Sequence, residues 1–301
     1  MQHRYVTVDV FADRPFAGNP LAVVLDAVGL STPQMQAIAA EFNYAETTFV
    51  LPPREASHTA HVRIFTPRQE LPFAGHPNVG TAFVLARARV GAAGVARFHF
   101  EERAGVVPLE LLREGGQVIG AELTAPEPLS VRSAVSAERV AACIGLNTSD
   151  LCTDRHLPTV VSVGLPFVLV EVGTRDALRR ACPDIAAHGH TLPCDGADAV
   201  YLYTRDVAGS APGVDIEARM FAPLDGIVED PATGSATAAM AAFLAQLAPG
   251  ADAEARLRFS QGVDFGRPSV LETRARKRRG VVEAVQVGGR CVPIMEGRLE
   301  L

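Results

Sequence analysis

Lysine is almost absent from this chain: among 301 residues it occurs once, at Lys277. Lys277 sits in the basic run Arg274 to Arg279, between two strand-like stretches and ahead of Gly280. That setting predicts a solvated hairpin loop rather than a phosphate-binding patch. A Schiff-base lysine has to be desolvated or otherwise have its pKa lowered, so pyridoxal-phosphate and lysine-aldolase chemistry are not expected. No basic stripe runs through the rest of the chain, and a net charge of -6 gives no support for nucleic-acid binding. No apolar run approaches the roughly 18 residues of a membrane span. No basic-then-apolar leader precedes the alternating stretch Tyr5 to Val10, so a cytoplasmic protein without a membrane partner is expected. The five cysteines, an odd number without regular spacing, fit reduced thiols better than a disulfide frame. A nucleotide-binding glycine pattern is missing. So is the G-x-S-x-G elbow, which removes a hydrolase reading of Ser235 within Thr233-Gly234-Ser235-Ala236-Thr237.

What the chain does have is organised around Asp230-Pro231-Ala232-Thr233-Gly234-Ser235-Ala236. Asp can cap free N–H groups and Pro suits the first helical position, so this stretch predicts a helix start. Thr233 to Ala248 is nearly all small or apolar and carries no charge, which predicts a helix buried on all sides. Upstream, Phe16-Ala17-Gly18-Asn19-Pro20 is a turn before the apolar strand Leu21 to Leu25. Thr32 and Pro33 open a helix, and Ala45-Glu46 precedes a β-branched strand. The loop Leu71 to His76 enters a second apolar helix, Pro77 to about Arg89.

After the linker Thr124 to Pro128 the order recurs. Gly164-Leu165-Pro166 echoes Gly18-Asn19-Pro20, Ala197-Asp198 stands where Ala45-Glu46 stood, and Arg219-Met220-Phe221-Ala222-Pro223 matches Arg63-Ile64-Phe65-Thr66-Pro67. Most telling, His76-Pro77-Asn78-Val79-Gly80-Thr81-Ala82 aligns without a gap to Asp230-Pro231-Ala232-Thr233-Gly234-Ser235-Ala236. The chain therefore reads as two homologous halves, residues 1–125 and 126–301. Each is expected to be a curved, mostly antiparallel sheet wrapped about a central helix, an α+β fold. The last strand, near residues 291–301, is a candidate to pack back on the first half.

Paired halves predict a ligand site at their interface. Two helix N-termini with free N–H groups and a positive dipole end suit an anionic group such as a carboxylate. A helix N-terminus also disfavours imidazolium, so His76 is expected to stay neutral. Glu46, before an apolar strand, is a candidate for a partly buried carboxylate with a raised pKa.

Together these stretches resemble the PhzF family of phenazine-biosynthesis isomerase-like proteins, within the diaminopimelate-epimerase fold. The resemblance is carried by Val8-Asp9-Val10-Phe11, Phe16 to Pro20, Ala45-Glu46-Thr47-Thr48-Phe49, Arg63 to Pro67 and Gly75-His76-Pro77. It continues through Asp230 to Ala236, Gln261-Gly262 and Gly266-Arg267-Pro268-Ser269. It implies acid/base isomerase chemistry without a cofactor or metal, on a small carboxylate-bearing metabolite, in a homodimer. Glu46 would transfer the proton, with His76, Asp230 and Ser235 completing the catalytic set and Asn19, Gly75 and Gly234 binding substrate. Related racemases use a cysteine pair at the two helix mouths. Here Cys143, Cys152, Cys182, Cys194 and Cys291 lie elsewhere, all in the second half of the sequence, so a two-thiol mechanism is not expected. Two other readings stay open at this point: a metabolite-binding protein without catalysis, and a metal site from Cys182, His188, His190 and Cys194.

Overall fold

The fold is a computed structural model that describes residues 2–88 and 96–301. In chain order the elements are β1 (Gln2–Val10), β2 (Asn19–Val24), α1 (Thr32–Phe42), β3 (Glu46–Leu51), β4 (Ala60–Phe65), β5 (Glu70–Leu71), α2 (Gly75–Ala88), β6 (Arg97–Glu102), β7 (Gly105–Glu114) and β8 (Gln117–Thr124). They continue as β9 (Ser130–Ala134), α3 (Ala137–Cys143), β10 (Thr159–Ser162), β11 (Pro166–Glu171), α4 (Arg175–Arg180), α5 (Ile185–Thr191), β12 (Val200–Thr204) and β13 (Ile216–Ala222). The chain closes with β14 (Ile227–Asp230), α6 (Gly234–Leu247), β15 (Ala253–Gln261), β16 (Ser269–Arg278) and β17 (Val281–Glu300). The expected end of the second helix at Arg89 lies outside the described residues.

Two compact units divide the chain. One holds the chain to Thr124 and takes up Gly288–Leu301; the other is Ala125–Val287. In the first, β17 pairs antiparallel with β1, setting Val10 opposite Cys291. From β1 the ladder passes antiparallel to β2, parallel to β3, antiparallel to β4, parallel to β6, and antiparallel to β7 and β8. A β8–β17 pairing closes the ring into a barrel. Among the described residues, closure leaves every long strand of the ring with a neighbour on both sides.

The barrel is filled by α2. Every residue from Gly75 to Ala86 is buried, as expected for a helix whose sequence offers no polar face. Close approach depends on Gly80, where a Cβ would come within 2.6 Å of Leu21 Cδ2 and 2.7 Å of Val10 Cγ2.

The second unit repeats the scheme. Its ladder runs β9–β10 and β10–β11 antiparallel, β11–β12 parallel, β12–β13 antiparallel, β13–β15 parallel and β15–β16 antiparallel. These are the same pairing types in the same order as in the first unit, so the match between sequence halves is also a match of topology. Here α6 is the central helix, with Gly234 and Ala236–Ala245 buried. Burial of Met240, Phe243 and Leu244 contributes roughly 1.5–3 kcal/mol per side chain.

One sequence expectation is corrected here. The basic run is not a loop but the end of β16, whose residues alternate in burial. Arg274, Arg276 and Arg278 face out toward Glu254, Glu283 and Asp252. Lys277, in phase with the inward face, is buried. Its Nζ donates to Gln246 O at 3.0 Å and Ala248 O at 2.7 Å, capping the C-terminus of α6. Cys291, although late in the sequence, belongs to the first unit. His58 and His61 are half-buried: His58 Nδ1 lies 3.0 Å from Glu101 Oε1, and burial pushes His61 down.

Candidate active site

Strand direction places the polar groups of the first unit. β2 begins at Asn19 and its parallel neighbour β3 at Glu46, with Leu21 opposite Glu46. β4 runs the other way and ends at Phe65, and β6, parallel to β4, ends at Glu102. These residues therefore share one rim of the barrel, and α2 opens at that rim. Gly75 is its first residue, two residues earlier than the sequence suggested, and His76 its second.

His76 Nε2 lies 3.5 Å from Glu46 Oε2, with side-chain exposures of 5% and 13%. Burial pushes the His76 imidazole down to about 3, opposed by a hydrogen bond to the Pro20 backbone. The ring is thus neutral, as the sequence suggested, but the leading cause is burial. Proline has no N–H, so the imidazole must donate to the Pro20 carbonyl. With Nε2 turned to Glu46, Nδ1 is the donor and Nε2 carries a bare lone pair. A bare imidazole nitrogen and an ionised carboxylate are both acceptors, and 3.5 Å is not a hydrogen bond between them. A proton taken up by Glu46 converts the contact into O–H···N. Asn19, buried at the start of β2 opposite Val10, sits one residue before the Pro20 carbonyl.

Asp230 and Ser235 belong to the second unit. Asp230 is the last residue of β14, opposite Met220, and is not the N-cap of α6. That position is Thr233, and Pro231 lies outside the helix. The reason is local. Gln261 Oε1 accepts from Thr233 N at 3.1 Å while its Nε2 donates to Asp230 O at 2.8 Å. Ser269 Oγ donates to Pro231 O at 3.0 Å. These bonds hold Pro231–Thr233 outside helical geometry, so the chain does not wind into a helix before Gly234. The Asp230 carboxylate accepts from Thr233 Oγ1 at 2.5 Å. Gly234 is the first helical residue, and Ser235, the second, is half-buried among buried neighbours.

Sequence reasoning missed Thr233, Gln261 and the Pro20 carbonyl as parts of these settings. Gln261 and Pro20 stood inside quoted motifs, but nothing in residue type alone shows a backbone carbonyl as a partner. Among the described residues no group of three or more His, Cys, Asp or Glu gathers to hold a metal. His188 of the Cys/His segment is instead fully buried, its Nδ1 2.8 Å from Asp184 O. Burial pushes the Cys291 thiol far up, so it is no thiolate at neutral pH. No helix among the described residues is long and apolar enough to cross a membrane.

The family model for phenazine biosynthesis-like proteins matches residues 8–297. The chain is 40% identical over 304 residues to the trans-2,3-dihydro-3-hydroxyanthranilate isomerase of Pseudomonas aeruginosa, covering 99% of this chain and 100% of the relative. A solved Bacillus anthracis phenazine biosynthesis protein of the PhzF family matches at TM-score 0.87 and 24% identity, with 100% of both chains covered. A hydroxyproline epimerase from Agrobacterium vitis matches at TM-score 0.63 and 13% identity, covering 99% of this chain and 91% of that one. The two structures are likenesses of fold, and the relative adds the reaction class. The chain belongs to the phenazine biosynthesis-like (PhzF) family and is an isomerase on the diaminopimelate epimerase-like fold.

Proposed function

We propose that the chain isomerises a small carboxylate-bearing metabolite by proton transfer through Glu46, without a cofactor. The observation that carries this reading is the buried pairing of Glu46 Oε2 with a bare His76 Nε2 at 3.5 Å. The Glu46 carboxylate removes a proton from one carbon, and the electron pair left behind delocalises into the substrate. The new Glu46 O–H donates to His76 Nε2, which stabilises the acid form without ionising the ring. Glu46 then returns the proton to a second carbon, so no net proton is gained or lost. A carboxylate on the substrate is supported by the first turns of α2 and α6, whose leading N–H groups have no intrahelical acceptor. Gly75 and Gly234 open those turns, and Asn19 flanks the Pro20 carbonyl; all three are proposed to bind substrate. For Asp230 and Ser235 the proposal is a part in turnover.

The substrate named for the Pseudomonas aeruginosa relative, trans-2,3-dihydro-3-hydroxyanthranilate, is the first compound to test. Turnover in deuterated water is expected to place deuterium in the product. Glu46→Gln should cut kcat by about 10²–10⁴-fold and abolish that exchange. A Glu46→Gln enzyme with unimpaired turnover would refute the assignment. Residence in the cytoplasm and a homodimeric state belong to the same proposal, through the family resemblance, and are tested by cell fractionation and light scattering.

A further inference from the structure

Glu102 ends β6 on the rim that carries Glu46, and the proton transfer described above does not use it. Both of its carboxyl oxygens are buried and find no hydrogen-bond partner among the described residues. Against it lies Asn78, fully buried in α2 two residues after His76. Asn78 Nδ2 donates one of its two hydrogens to Ala74 O at 2.9 Å, and the Asn78 amide favours the ionised form of Glu102 less than burial disfavours it. Asn78 Oδ1 is a third buried oxygen without a donor.

The polar groups on the residues that flank Glu102 in the chain are engaged elsewhere. Arg103 lies 3.8 Å from Glu70, and His58 3.0 Å from Glu101. β7 brings Gly105 opposite Glu102, and α2 brings Asn78. An ionised carboxylate here would be an uncompensated buried charge beside another acceptor. A proton on Glu102 removes the charge and supplies the missing donor. Burial accordingly pushes this carboxyl up to about 8. The turn that follows is tied to the entrance of α2 as well, since Ala104 N donates to Pro72 O at 3.1 Å.

We propose that Glu102 is a positioning residue for His76: held as a neutral acid, it donates its O–H to Asn78 Oδ1 and clamps the first turn of α2, keeping His76 Nε2 against Glu46. Ionisation replaces that hydrogen bond by repulsion between acceptors and loosens the turn. The functional side of this inference rests on the reading of Glu46 and His76 as the proton-transfer pair.

The test follows the His76 ring by ¹H–¹⁵N NMR of histidine-labelled protein across pH 6 to 10, assigned with His76→Asn. In the wild type the His76 signals are expected to move with a midpoint near pH 8. In Glu102→Gln, whose amide is permanently neutral and can donate to Asn78 Oδ1, that transition is expected to vanish. Asn78→Ala should uncouple it too. A transition that persists in Glu102→Gln, or its absence from the wild type, overturns the inference. This readout needs no turnover, so it is independent of the isomerase proposal. In turnover, kcat/KM of the wild type should fall about tenfold per pH unit above about pH 8. A limb that survives in Glu102→Gln overturns the inference, whereas full activity in Glu46→Gln overturns the reading of Glu46.

Discussion

Replacing Glu102 by Gln should change how the stability of the first unit depends on pH. The carboxyl sits at about 8 in the folded chain, against an ordinary value of 4.5, because burial disfavours its charged form. Between those values the folded chain holds a proton that the unfolded chain has released. Stability then falls as pH rises, by about 1.4 kcal/mol per pH unit for one proton. The penalty is absent below the unfolded value and fully present above the folded one. From 4.5 to 7 it amounts to about 3 kcal/mol, and by pH 8 to about 4 kcal/mol. Glu102→Gln cannot ionise, so its stability relative to the wild type should grow along that slope. The constant cost or gain of burying an amide beside Asn78 shifts the offset and leaves the slope alone. Urea titrations at pH 5, 6, 7 and 8 measure it, followed by far-UV circular dichroism because the chain has no tryptophan. Parallel curves for wild type and mutant would mean that Glu102 ionises alike in both states and would overturn this expectation.

His76 gives the opposite sign. Its folded value of about 3 lies below the ordinary 6.5, so between the two the unfolded chain binds the extra proton and stability falls as pH drops. The wild type should lose about 2 kcal/mol more than His76→Asn between pH 6.5 and 5, measured by the same titrations. Lys277→Met should destabilise by about 2 kcal/mol, because two charge-assisted bonds to the last carbonyls of α6 are lost. Arg276→Met on the exposed face of the same strand should stay within about 0.5 kcal/mol, and thermal unfolding compares the two.

Much of this architecture was legible because it rests on pattern. The uncharged Thr233 to Ala248 stretch had to be a buried helix, and the gapless match of His76–Ala82 to Asp230–Ala236 had to reflect a repeated topology. Glu46 and His76 were legible as a pair only through motif resemblance, since their contact depends on a parallel β2–β3 register that no local pattern encodes. Lys277 was misread because a run of arginines hides strand alternation: charge at five of six positions looks solvated until Ala275 and Lys277 are seen to share the inward phase with Thr273. Glu102 left no trace at all. A glutamate beside Glu101 and Arg103 reads as surface, and only the packing of Asn78 shows otherwise.

The aligned mouths of the two central helices carry the same letters in different jobs. α2 starts at Gly75, but the residue matched to Gly75 is Glu229, inside β14, and α6 starts only at Gly234, the match of Gly80. Gly80 therefore lies inside a helix, packed on Leu21 and Val10, while Gly234 opens one. The hydroxyls that follow diverge in the same way. Thr81 is fully buried with Oγ1 2.8 Å from Thr48 Oγ1, a core hydrogen bond. Ser235 is half-buried in a first turn. Thr81→Ala strands the Thr48 hydroxyl and should cost about 1–3 kcal/mol of stability. Ser235→Ala should cost under about 0.5 kcal/mol and show its effect in kcat/KM instead. Paired denaturation and turnover measurements on the two variants separate these outcomes. If Ser235→Ala proved as destabilising as Thr81→Ala and left turnover intact, helix offset would not explain the division of labour, and Ser235 would be a packing residue like its counterpart.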